Sequence, residues 1–93
     1  MLTGAQLRGA RGLINISVAE LAERTGLAVN TIRRAEAGNG PVRMTTDNLV
    51  ILMNAFDDAG VEFIEAGKRG PGVRLKSPQP LPTHHRRRDQ VTK

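Results

Sequence analysis

The chain has no cysteine, no tryptophan and no tyrosine. Without thiols it can form neither a disulfide nor a thiolate metal site, which suits a reducing, cytoplasmic location. Phe56 and Phe63 are its two aromatics among 93 residues, so Leu, Ile, Val and Ala must fill the core. No apolar run approaches the roughly 20 residues of a membrane span. The start, MLTGAQLRGARG, lacks the apolar centre of a signal peptide. A soluble intracellular protein of one small domain is expected. Enzymatic equipment is missing too: there is no nucleophile–base set, no metal-ligand cluster and no phosphate-cradling loop. No cofactor, membrane partner or small-molecule ligand is indicated.

The net charge of +5 is unevenly placed. Residues 1–75 hold nine Lys/Arg and eight Asp/Glu, whereas residues 76–93 hold five Lys/Arg and one Asp. The first part is therefore nearly neutral. Any affinity it has for a polyanion must come from how its arginines are grouped, not from bulk charge.

The most informative segment runs from Ser17 to Gly38, SVAELAERTGLAVNTIRRAEAG. Ser17 and Glu20 form a capping box that opens a helix. Leu21 and Ala22 face inward, and Gly26 ends the helix where a left-handed residue is needed. A second helix starts near Ala28. Ile32 and Ala35 lie on its inner face, with Asn30, Thr31, Arg33 and Arg34 elsewhere, and Gly38 stops it. Small Ala22 permits a close helix crossing, Gly26 permits the reversal, and Ile32 fills the angle. Two short helices joined in this way form the unit that sets a helix in the DNA major groove.

As a set, these residues resemble the Cro/repressor-type helix-turn-helix of the XRE family of transcriptional regulators, over Leu2 to Phe56. One departure is Ala28, which stands where the family usually has a Ser or Thr cap and so gives the second helix a weaker start. The resemblance implies that bases are read from the first turn of the second helix and from one position a turn later, here Val29, Asn30 and Arg34. It also implies that Arg11 pairs with Glu36 and presents an edge to a phosphate. At Val18, where relatives often carry a polar residue, the backbone N–H at the helix N-terminus would meet phosphate instead.

Around this segment, Thr3 and Gln6 form another capping box. It opens a helix with Leu7, Ala10, Leu13 and Ile14 inward and Arg8 and Arg11 on other faces. Gly9 and Gly12 weaken that helix by about 1 kcal/mol each relative to Ala. The loop GNGPVRM follows Gly38, and a further helix begins at Thr45 or Thr46, with Leu49, Leu52, Met53 and Phe56 as its inner stripe and Gly60 as its end. The period then changes to two. Val61 and Phe63, then Val73 and Leu75, flank the turn residues of EAGKRGPG, as in a β-hairpin. KSPQPLPTHHRRRDQVTK carries three prolines and little apolar surface, so a flexible tail is expected.

The expected architecture is mainly α. A Cro/repressor-like domain of four to five helices spans 1–60, a short β-hairpin and candidate dimerisation element spans 61–75, and a basic flexible tail spans 76–93. Asn30 suits adenine, Arg33 and Arg34 suit guanine, and Val29 and Thr31 suit a thymine methyl, although Arg33 could equally meet only phosphate. Arg8, Arg11, Val18 and Arg43 are the phosphate-contacting candidates. Val50 and Ile51 lie off the inner stripe and Ile64 lies out of phase with Val61 and Phe63, so these three are candidates for a homodimer interface. In the tail, His84 and His85 are unsuited to metal, since neighbours in an extended chain point apart. With Arg86–Arg88 they form either a nonspecific phosphate-binding cluster or a solvated terminus.

The expected function is a cytoplasmic, dimeric, sequence-specific DNA-binding transcriptional regulator acting as a repressor or autoregulator on a double-stranded operator. Two alternatives stand: a DNA-binding antitoxin whose tail or hairpin holds a toxin, and a protein-interaction adaptor that has lost operator binding.

Overall fold

The computed structural model describes residues 2–77. The tail beyond them, with its His84, His85 and arginine cluster, lies outside the described residues. Helices α1 (Gly4–Ile14), α2 (Val18–Thr25), α3 (Val29–Glu36) and α4 (Thr46–Asp58) precede strands β1 (Val61–Ile64) and β2 (Gly72–Leu75). The described part is thus mainly helical, with four helices and a hairpin. None of the helices described is long and apolar enough to cross a membrane.

Local chemistry sets most of the boundaries. Both expected capping boxes are formed, Thr3 with Gln6 on α1 and Ser17 with Glu20 on α2. Each satisfies orphan N–H groups in both directions. Gly26 closes α2 in the left-handed region at φ 76°, where a Cβ would cost roughly 1–2 kcal/mol. α3 starts after Ala28 without any side-chain cap. It ends at Ala37, one residue before Gly38. Thr45 caps α4 through the Asn48 N–H. α1 ends on Asn15 at φ 56°, which is the one non-glycine residue at positive φ among the described residues.

Leu7, Leu21, Ile32, Leu52, Phe56 and Val61 are the largest side chains sealed in the core. Each contributes about 1.5–3 kcal/mol by leaving water. Leu13, Leu49 and Met53 are half-buried against them. α1 runs between α3 on one side and the hairpin on the other, while α4 packs on α2 and β1. The hairpin pairs Val61 with Leu75, Glu62 with Arg74, Phe63 with Val73 and Ile64 with Gly72. Phe63 meets Phe56 edge to face, with ring centroids 5.7 Å apart.

One residue ties the hairpin to the helices. Gln6 is buried, and its Oε1 accepts from the Thr3 N–H at 2.9 Å. Its Nε2 donates to the carbonyls of Ile64 and Gly72, both at 3.0 Å. On the outer face, Arg74 pairs with Glu62 at 3.1 Å and, by that hydrogen bond and its charge, holds the Glu62 carboxyl below its usual range.

Candidate nucleic-acid interface

α2 and α3 are joined by Gly26, Leu27 and Ala28 and pack on each other, so the two-helix unit read from the sequence is formed. Ile32, Ala35 and Glu36 are the buried residues of α3. Opposite them, Asn30, Arg33 and Arg34 are exposed, while Val29 and Thr31 flank them half-buried. Asn30, Arg33 and Arg34 therefore form the outward face of one short helix, with Val29 and Thr31 at its margins.

The inner side of α3 is fastened to α1 by two arginines. Arg11 makes a two-pronged pair with Glu36, Nε to Oε2 at 2.7 Å and Nη2 to Oε1 at 2.9 Å. Its Nη1 also donates to the Ile16 carbonyl at 3.1 Å. The Glu36 side chain is 8% exposed and that of Arg11 23%, so this pair is largely withdrawn from water. Hydrogen bonding to Glu36, and then its charge, raises the Arg11 pKa above the ordinary guanidinium value, against the opposing effect of burial.

Arg8 lies one turn earlier on α1. Its Nη1 donates to the carbonyls of Glu36 and Gly38, and its Nη2 to Asn39 Oδ1. Of the other phosphate-contacting candidates, Arg43 is exposed. It shares with Arg34 a groove floored by Ala37, Pro41 and Val42. The side chain of Val18 packs half-buried against the core, leaving its N–H at the first helical position of α2, where intrahelical partners are lacking.

The loop carrying Arg43 is itself anchored. The Gly4 N–H donates to the Gly40 carbonyl at 3.0 Å, and the Val42 N–H to the Leu2 carbonyl at 2.9 Å. Thr3 and Pro41 form an isolated antiparallel bridge. Sequence reasoning missed this anchoring. Its one signal was Gly4, where a Cβ would stand 2.6 Å from the Gly38 carbonyl oxygen.

Of the candidate dimer residues, Val50 is 50% and Ile51 39% exposed, the large hydrophobics left uncovered among the described residues. Ile64 is half-buried on the hairpin. No group of three or more His, Cys, Asp or Glu suited to a metal ion occurs among the described residues. No protein-family model matches the chain, and no curated protein matches it.

Proposed function

We propose that this chain is a sequence-specific DNA-binding transcriptional regulator of the helix-turn-helix type, working in the cytoplasm as a homodimeric repressor or autoregulator. The observation that carries the reading is α3 itself. Its inner face is locked by the core and by Arg11–Glu36, while Asn30, Arg33 and Arg34 stand exposed on the other face. A short helix held this firmly, with adenine- and guanine-reading side chains outermost, suits insertion into the major groove. The resemblance to XRE-family regulators supports the same reading.

In this mechanism α3 reads bases with Asn30 and Arg34, and with Arg33 where it reaches an edge. Val29 and Thr31 supply apolar contact to thymine methyls. Arg11, the Val18 N–H and Arg43 contact phosphates and set the register. Two copies related by a two-fold axis, meeting through Val50, Ile51 and Ile64, would read half-sites about one helical turn apart.

Selection of bound sequences from a random duplex pool tests this. A recurring motif is expected. Asn30→Ala and Arg34→Ala should each cost about 1–3 kcal/mol on it and relax preference at one position per half-site. Unchanged affinity and base preference in both variants would reject α3 as the reading helix.

A further inference from the structure

We infer that Arg8 is a positioning residue for the recognition helix and not a phosphate contact; this rests on the DNA-binding reading of α3. A helix ends with four carbonyls that lack intrahelical partners. At the C-terminal end of α3, Arg8 reaches over from α1 and donates to two carbonyls in this region, those of Glu36 and Gly38, and to the Asn39 side chain. Its cationic fork also sits at the negative end of the helix dipole. A planar guanidinium can span these three acceptors at once, which a lysine ammonium cannot do with the same geometry.

The surroundings add to the fastening. The backbone of α1 comes so close at Gly4 that a Cβ there would approach the carbonyl oxygens of Gly38, Glu36 and Ala35 to 2.6, 3.0 and 3.1 Å. Gly4 and Leu2 bond the loop at Gly40 and Val42. The first two turns of α1 thus form a bracket that fixes the height of the C-terminal end of α3 and the direction of the loop bearing Arg43. Base contacts depend on that placement to within a fraction of an ångström. General attraction to phosphate does not. Arg8 therefore acts on discrimination between sequences, through the helix it holds.

Arg8→Lys and Arg8→Gln distinguish the two roles. Affinity is measured on the selected duplex and on random duplex over a range of salt, with folding followed by circular dichroism. Positioning predicts that both variants lose about tenfold or more on the selected duplex. Random-duplex affinity and the slope of log affinity against log salt should stay unchanged. It also predicts that amide NMR shifts move in α3 and residues 38–42 while those of α4 and the hairpin stay, a readout that needs no DNA. A phosphate contact predicts the reverse: Arg8→Lys near wild type, and Arg8→Gln weaker on both duplexes with the slope reduced by about 0.9. That pattern, or wild-type behaviour in both variants, overturns the inference. Failure of the wild-type protein to bind any duplex would instead reject the function proposed above, leaving the NMR comparison to decide the role of Arg8 in holding α3.

Discussion

Separating Arg11 from Glu36 should be one of the costliest single changes outside the apolar core. Replacing Glu36 by Leu leaves the Arg11 guanidinium with the Ile16 carbonyl as its remaining partner and strands a cation whose side chain is 23% exposed. Replacing Arg11 by Met strands a carboxylate that is 8% exposed. Breaking a buried pair in this way costs about 3–5 kcal/mol. The partial exposure of Arg11 places Glu36→Leu near 3 and Arg11→Met at or above it. At about 4–8 °C per kcal/mol for a domain of this size, the melting midpoint should fall by about 12–24 °C for Glu36→Leu and by at least as much for Arg11→Met. The double variant Arg11→Met/Glu36→Leu removes both charges and adds apolar contact. It should return to within about 1 kcal/mol of wild type. Urea denaturation of the four proteins closes the cycle. Single losses below about 0.5 kcal/mol would mean that the pair behaves as an ordinary surface pair. A double variant as unstable as the two singles added together would mean that the residues do not act on each other.

Ala28→Ser should supply the missing side-chain cap of α3 and raise stability by about 0.5–2 kcal/mol, read from the urea midpoint. In α1, two substitutions of the same kind should have opposite signs. Gly12→Ala, with nothing within 4 Å of the new Cβ, should stabilise by about 0.5–1 kcal/mol. Gly4→Ala, whose Cβ would collide with the Gly38 carbonyl and crowd those of Glu36 and Ala35, should destabilise by about 1–3 kcal/mol. Ile51→Glu, at an exposed position, should shift sedimentation toward monomer without unfolding the protein. A wild-type protein monomeric at all concentrations, with and without DNA, would remove α4 as a dimer surface.

The α2–α3 pair was legible because most of its boundaries carry a chemical mark within a few residues, the uncapped start of α3 at Ala28 excepted. Ser17 and Glu20 open α2, Gly26 takes the positive φ, and Ile32 and Ala35 repeat at helical spacing on the buried side. The hairpin was legible from the change of period at Gly60. Asn15 was not, since its left-handed cap sits where the sequence shows no glycine. Wheel position also separated outward Asn30, Arg33 and Arg34 from inward Ile32. It could not say where a long side chain ends. Arg8 reads the same on a wheel whether its guanidinium points to solvent or folds back onto carbonyls 28 and 30 residues away. The second function of Gln6 was hidden for a similar reason. Its carbonyl oxygen serves a local box visible in four letters, while its amide nitrogen reaches partners 58 and 66 residues further on.

That division of labour within one carboxamide bears on how the chain folds. A hairpin of two four-residue strands is marginal alone, and a helix as short as α1 scarcely persists in water. Gln6 is fully satisfied only when both are present and docked. An intermediate with α1 packed but the hairpin absent would leave two amide donors without carbonyl partners and uncover Val61 and the Phe56 edge. Such half-assembled states are penalised from both ends, so a single sharp transition is expected. Exchange of the Thr3 N–H, which Gln6 Oε1 protects, should then slow to the rate of global opening. The first helical turn, ordinarily the first part of a domain to fray, would report on the stability of the whole.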